Sequence, residues 1–302
     1  MSRLDLYENC TLCPRSCRVN RRMGQTGFCR VPAQLQVARA ALHMWEEPCI
    51  SGVNGSGAIF FSGCSVGCVF CQNSTIASGQ SGKLITIERL ADIFLELQAK
   101  GAHNINLVTP DHYAPSIAEA LDLARSEGLS LPIICNCSGY TSLTTLKLLE
   151  GYIDVWLPDF KYYSSELAAR YSHAPDYFDK ACAALAEMYR QTGDTVFDND
   201  GMIQKGIIVR HLTLPGYTGD SRQILNYLYN TYGDHIYISI MNQFTPMPGL
   251  LPDYPELNQT VPEDDYNALV DYAIDIGIEN GFIQEGETAQ ESFIPPFDNE
   301  GV

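Results

Sequence analysis

Cys64-Ser65-Val66-Gly67-Cys68-Val69-Phe70-Cys71 decides how this chain is read, and the apolar run Ala58-Ile59-Phe60-Phe61 leads into it. The run reads as a strand that ends in a turn at Gly63 and delivers the chain into a loop carrying three thiols. Thiolates are soft ligands that suit the iron of iron–sulfur clusters, and such clusters normally take four of them. With only three, one iron of a cubane cluster keeps an open position, which implies chemistry at the cluster beyond electron storage. A zinc knuckle or three unrelated buried cysteines are the plainer alternatives. Strand, glycine turn, spacing and Phe70 together favour the cluster.

Working outward, 302 residues with 45% apolar content can bury a substantial core in one large domain or two small ones. No apolar run is long enough to span a bilayer, and Met1-Ser2-Arg3-Leu4-Asp5 lacks a signal-peptide core, so a cytoplasmic protein without a membrane partner is expected. Eleven cysteines in such a chain point to metal ligands rather than disulfides. The net charge of −17 argues against a nucleic-acid partner, because phosphate binding needs a basic surface.

Upstream of the loop lie Cys10-x2-Cys13-x3-Cys17 and then Cys29, separated by a polar stretch with no helical or strand period. A metal crosslink is a source of order for such a segment. Four thiols close a structural zinc site, and they equally close a second iron–sulfur cluster. Cys49, in Trp45-Glu46-Glu47-Pro48-Cys49-Ile50-Ser51-Gly52, reads either as a further ligand or as a small buried apolar residue.

Downstream, strand and helix patterns alternate. Leu90, Ile93, Phe94 and Leu97 follow the helical period behind a cap at Thr86, and Ile117, Leu121 and Ala124 mark a second helix. A third helix spans residues 142–149, and a long helical region runs to about Gln191. Apolar strands begin near Ala58, Ile105, Leu131, Tyr152, Gly206 and His235. Six strands separated by crossover helices imply a parallel sheet with right-handed connections, too few for a closed eight-fold barrel. Residues 250–260 form a proline-rich link, and a helix starts at Pro262 with Glu263, Asp264 and Asp265 in its first turn. Phe293-Ile294-Pro295-Pro296-Phe297, in an acidic tail, reads as disordered or as an apolar plug over the barrel mouth.

Ligands of parallel α/β sheets sit at the carboxyl ends of the strands. Those ends carry Thr109-Pro110-Asp111-His112, Asn136-Cys137-Ser138-Gly139-Tyr140, Asp159-Phe160-Lys161, Arg210-His211 and Met241-Asn242-Gln243. Each cluster alone is ordinary loop composition. Their convergence on the edge that holds the cysteine loop implies one site, in which His112 and His211 are candidates to touch substrate.

The cysteine spacing, with Phe70 before the last thiol, resembles the signature loop of the radical S-adenosylmethionine (SAM) enzymes. The N-terminal cysteines, the Trp45–Gly52 run, Asn136-x2-Gly139-Tyr140 and Arg210-His211-Leu212 resemble, more narrowly, the branch of pyruvate formate-lyase activating enzymes. The fold this implies is α/β, an open (β/α)6 partial TIM barrel over residues 51–250. A cysteine-rich metal-binding extension precedes it at 1–50, and a C-terminal helix and tail pack on it at 251–302. The chemistry implied is reductive cleavage of SAM on a [4Fe–4S] cluster held by Cys64, Cys68 and Cys71. The resulting 5′-deoxyadenosyl radical takes hydrogen from a substrate, a glycyl-radical enzyme on the narrower resemblance, under anaerobic conditions. The electron comes from a low-potential donor such as flavodoxin or ferredoxin. By the same resemblance Phe70, Thr109, Asn136, Ser138, Asp159 and Gln243 contact the cofactor, while Lys161 and Arg210 grip charged ends of SAM or substrate. The chain departs from the branch after strand two, where Val108-Thr109-Pro110-Asp111 replaces a Gly-Gly-Glu turn, leaving Thr109 and Asp111 as acceptors for the SAM ammonium. Other readings keep the chemistry on a small molecule or peptide, or reduce the chain to a non-catalytic electron-transfer or zinc-stabilised scaffold protein.

Overall fold

The computed structural model describes residues 2–246, 252–284 and 295–302. Leu250, Leu251, Phe293 and Ile294 lie outside the described residues. In chain order the first strands are β1 (Leu35–His43), β2 (Ser56–Phe61), β3 (Lys83–Ile85), β4 (Ile105–Val108) and β5 (Ile133–Cys137). They are followed by β6 (Val155–Pro158), β7 (Val196–Phe197), β8 (Ile203–Leu212), β9 (Tyr237–Met241) and β10 (Gly281–Ile283). One sheet takes them in the order β10-β9-β8-β6-β5-β4-β2-β1-β3, with β7 paired to β8. The six strands expected from the sequence are β2, β4, β5, β6, β8 and β9. They are consecutive in the sheet, each parallel to the next. This is an open parallel α/β sheet of the expected class. Residues of β2, β4, β5 and β6 are buried throughout, because a parallel sheet is covered on both faces.

Nine helices among the described residues cover the sheet: α1 (Pro48–Ser51), α2 (Ser74–Ala77), α3 (Ile87–Ala99), α4 (Ala114–Ser126), α5 (Leu143–Leu148), α6 (Ser165–Ser172), α7 (Tyr177–Thr192), α8 (Thr218–Tyr232) and α9 (Glu263–Asp275). In α3 the periodic Leu90, Ile93, Phe94 and Leu97 are all buried, and the Thr86 hydroxyl accepts the Arg89 N–H at 3.1 Å. Each such side chain contributes about 1.5–3 kcal/mol by leaving water.

Three features depart from the sequence reading. The helical region running to Gln191 is two helices, α6 and α7. His173 closes α6 in the left-handed conformation at φ +51°, and Pro175 follows before α7 begins. A seventh parallel strand, β10, extends the sheet beyond β9. Leu35–His43 forms β1, antiparallel to β2 and flanked in turn by β3, so the sheet reaches upstream of the cysteine loop.

The described end of the tail lies along β1. Ala40 N–H donates to the Glu300 carbonyl at 2.8 Å, Asn299 N–H donates to that of Ala38 at 3.0 Å, and the Phe297 ring meets Phe60 edge-on. At the other end of the chain, buried Tyr7, Cys10 and Leu12 make a small satellite core. Arg21, 1% exposed, fastens that core to the barrel by donating to the Val31 (3.2 Å), Pro32 (2.8 Å) and His112 carbonyls.

Candidate active site

The carboxyl ends of the parallel strands open on a cavity of about 240 Å³. Cys64, Cys68, Cys71 and Phe70 line it from the loop after β2, and Thr109, Asn136, Ser138, Asp159, Lys161, Arg210 and Gln243 line it from the other strand ends. Two backbone features shape these ends. Thr109 is held at φ +58°, a real cost for a β-branched residue and the kind of strain found at working sites. Gly139, at φ +74°, passes so close to the Asp159 carbonyl that a Cβ would sit 2.1 Å from its oxygen. Only glycine lets β5 leave the sheet there.

A chain of charges forms one wall. Lys161 Nζ donates to Asp159 Oδ2 at 2.5 Å, and Asp159 Oδ1 stands 3.6 Å from Arg210 Nε. Arg210 donates through Nη1 to Glu46 Oε2 and through Nη2 to Asn136 Oδ1, both at 2.7 Å. Glu46 Oε1 accepts from Asn106 at 3.0 Å and from Asn136 at 3.4 Å. Burial alone would lower the Arg210 guanidinium and the Lys161 ammonium. For Arg210 the carboxylates of Glu46, Glu47 and Asp159 outweigh it, for Lys161 chiefly Asp159, and both cations are held above their usual values.

Glu46 carried no role in the sequence reading. It follows β1, whose last residue His43 pairs with Ser56 at the start of β2, so the Trp45–Ser51 turn closes the amino ends of the parallel strands. Glu46 therefore enters the barrel from the side opposite the cysteine loop. In the sequence this run carries a candidate ligand in Cys49 and a family resemblance; only the antiparallel pairing of β1 shows where Glu46 points.

Several strand-end residues belong to the scaffold instead. Asp111, considered for the SAM ammonium, is buried outside the cavity lining, accepts the Thr141 hydroxyl, and is pushed by desolvation up to about 6. His112 is buried against the Ser62 carbonyl at 2.8 Å; desolvation and then Arg21 hold its imidazole down to about 3. His211 is clamped between the Phe160 carbonyl and the Ser221 hydroxyl, each at 2.8 Å. Neither histidine lines the cavity.

On the cysteine loop, burial pushes the Cys64 thiol up and that of Cys71 up to about 12, while Lys161 pulls both back. Cys68 Sγ accepts the Ser172 hydroxyl at 3.0 Å, and Cys64 Sγ accepts the Val66 N–H at 3.4 Å. Among the described residues, no three His, Cys, Asp or Glu side chains are placed to hold a metal ion as they stand. The fit to an iron–sulfur cluster rests on donor chemistry: three free thiols on one loop line one cavity beside a lysine ammonium. A thiol that burial keeps protonated loses its proton outright to bound metal. Cys10, Cys13, Cys17 and Cys29 also lie near one another, since the Cys13 thiol, pushed by burial up to about 12, feels the other three. They stand apart from the cavity lining. Cys49 packs among Ile50, Ile134 and Val155 as a small apolar residue.

Against known families, the model of the radical SAM superfamily matches residues 58–228, more than half of the chain and the whole stretch from β2 into α8. The chain belongs to the radical SAM superfamily. A relative from Methanocaldococcus jannaschii, described as an uncharacterized protein, is 25% identical over 276 residues, covering 89% of this chain and 75% of that one. Among solved structures, Streptococcus suis SuiB bound to precursor peptide SuiA aligns with a TM-score of 0.52 at 12% identity. SuiB bound to S-adenosylmethionine aligns with a TM-score of 0.51 at 14% identity. Each match covers 74% of this chain, which spans about half of SuiB, 47% and 48% of its length in the two structures. At such identities the likeness shows the shared radical SAM fold. Superfamily membership implies a [4Fe–4S] cluster, SAM and reductive SAM cleavage.

Proposed function

We propose that the protein is a radical SAM enzyme of the activating-enzyme type, taking hydrogen from a loop of a protein substrate such as a glycyl-radical enzyme. The observation that carries the reading is the paired charged wall, Lys161–Asp159–Arg210–Glu46, in the cavity of the cysteine loop. Cys64, Cys68 and Cys71 would hold the cluster, with SAM beside it. Bound there, the cluster supplies the electron that cleaves SAM to methionine and a 5′-deoxyadenosyl radical.

The methionyl end of SAM is a zwitterion, and the wall offers both signs of charge. The Arg210 fork and the Lys161 ammonium suit its carboxylate, while Asp159 and Glu46 supply the acidic groups that a Gly-Gly-Glu turn would otherwise bring to its ammonium. Asn136, Ser138 and Thr109 offer hydrogen bonds to the ribose, and Gln243 offers one at the rim. Phe70, packed edge-on against Phe244 with ring centroids 6.0 Å apart, helps keep water from the radical. SAM fills a cavity of about 240 Å³ that opens at the strand ends, so the substrate reaches in from the rim. That favours an extended loop over a second enclosed small molecule. The reading also requires a donor of the flavodoxin or ferredoxin type and a reducing, cytoplasmic setting.

The test is anaerobic reconstitution with iron and sulfide, followed by reduction with SAM and a glycine-loop peptide deuterated at the glycine α-carbon. Deuterium in the 5′-deoxyadenosine supports the loop reading. Formation of 5′-deoxyadenosine with deuterium drawn only from labelled small molecules would overturn it and leave the cleavage chemistry standing.

A further inference from the structure

Arg15 lies in the Cys13-Pro14-Arg15-Ser16-Cys17 turn, outside the barrel, yet its guanidinium bonds backbone carbonyls of two distant segments. Nε donates to the Ser65 carbonyl at 2.9 Å, and Nη2 donates to those of Val66 at 3.1 Å and Ser172 at 2.9 Å. Nη1 donates to the His173 carbonyl. The guanidinium rests over the Phe28 ring, 3.9 Å from its centroid. Ser172 and His173 are the last residue of α6 and its cap, where exposed carbonyls favour a cation. Ser65 and Val66 lie inside the cysteine loop itself.

The consequence follows from peptide geometry. In a trans peptide the C=O and the N–H of one unit point in opposite directions. The Ser65 carbonyl shares a unit with the Val66 N–H, and the Val66 carbonyl shares one with the Gly67 N–H. Arg15 holds both carbonyls on one side, and both N–H groups turn to Cys64 on the other. The Val66 N–H reaches Cys64 Sγ at 3.4 Å, and the Gly67 N–H lies near the same sulfur. Gly67 is at φ +73°, and a Cβ there would meet the Phe28 ring at 3.1 Å, so the ring beneath Arg15 also fixes the loop. Ser172, whose carbonyl Arg15 holds, donates its hydroxyl to Cys68.

We propose that Arg15 is a positioning residue for the radical chemistry: its fork orients the peptide units 65–66 and 66–67 so that the Val66 N–H donates to Cys64 Sγ and the Gly67 N–H faces it, and so raises the reduction potential of the cluster. Hydrogen bonds to ligand sulfur and a nearby positive charge both stabilise the more negative, reduced cluster. The inference rests on the cluster assignment made above and adds the device by which the N-terminal segment acts on it.

The experiment compares wild type, Arg15→Lys, Arg15→Gln, Phe28→Leu and Arg22→Gln as full-length protein. The last removes an exposed cation that pairs with Asp5 and Glu8. Two readouts are taken: the midpoint potential of the reconstituted cluster by spectroscopic titration, and hydrogen–deuterium exchange over residues 64–68 without cluster. Arg15→Lys keeps the charge and loses the fork, so its potential shifts to more negative values and its loop amides exchange faster. Arg15→Gln shifts further. Phe28→Leu shifts in the same direction and serves if Arg15→Gln loses the fold. Arg22→Gln matches wild type in both. A normal cluster in Arg15→Lys with unmoved potential and exchange would overturn the proposal alone. A wild-type protein that takes up no cluster contradicts the functional reading and this proposal together.

Discussion

Arg210 is 15% exposed and its partner Glu46 only 7%, so each removed singly leaves a charge in a poorly solvated place. Breaking such a buried pair from one side costs about 3–5 kcal/mol. Arg210→Ala therefore lowers stability in urea by an amount near that range and weakens SAM binding in calorimetry. The double variant Arg210→Ala/Glu46→Gln recovers part of the stability and none of the binding. Full additivity of the two changes would show that the pair is uncoupled. A second residue-scale expectation concerns His112, whose imidazole is held at about 3 by burial and then by Arg21. Between the unfolded value near 6.5 and about 3, the unfolded chain binds a proton that the folded chain refuses. Stability from this group is complete above the unfolded value and falls as pH drops, by about 2 kcal/mol at pH 5. Asp111, raised to about 6, works in the opposite sense across its own window, because its folded form holds the proton. Urea unfolding at pH 7 and pH 5 should thus show a larger loss in wild type than in His112→Gln. Equal losses would place the acid sensitivity elsewhere. At this scale the strand-end polar residues were legible, because a parallel sheet gathers its carboxyl ends. Glu46 was hidden because it reaches the same cavity from the amino-end side. The fixed roles of His112, His211 and Asp111 were hidden because each turns on a partner distant in sequence, Ser62, Phe160 or Thr141.

At the scale of elements, the alternation of apolar strands with capped helices announced β2, β4, β5, β6, β8 and β9. The strand β1 was passed over for a physical reason. Leu35-Gln36-Val37-Ala38-Arg39-Ala40-Ala41-Leu42-His43 is rich in good helix formers, and its strand conformation comes from pairing with β2. The register between them shifts between Val37 and Arg39, which further blurs a period of two. The break between α6 and α7 was missed because the apolar period continues across it while a single left-handed residue, His173, turns the chain. The tail completes the β1 edge beyond the reach of β3. Deleting residues 295–302 removes two backbone hydrogen bonds and the Phe297–Phe60 contact, so a loss of about 2–3 kcal/mol is expected. Arg39 pairs with the exposed carboxylates of Asp298 and Glu300, which add little. Exchange at Ala38 and Ala40 should rise in the truncated protein. Unchanged exchange and melting would mean that the tail merely rests on the strand.

For the whole molecule, an acidic chain with a net charge of −17 folds around an open parallel sheet whose mouth carries three free thiols. No helix among the described residues is long and apolar enough to cross a membrane. The N-terminal thiols are a second test at this scale. If Cys10, Cys13, Cys17 and Cys29 hold zinc or a second cluster, metal remains in protein that lacks the barrel thiols, and chelation loosens the first forty residues before the barrel. Well-folded protein without zinc or iron would remove that site. Superfamily and fold class could be read from one loop and the strand pattern. The substrate could not, because neither the cysteine spacing nor the strand pattern encodes the surface that would bind it. The central claim is that Cys64, Cys68 and Cys71 hold the cluster on which SAM is cleaved. Its most direct test is 5′-deoxyadenosine formation by anaerobically reconstituted, reduced protein, wild type beside the variant with all three cysteines changed to alanine. Product from the wild type and none from the variant is the predicted result; product from the variant at the wild-type rate would contradict it.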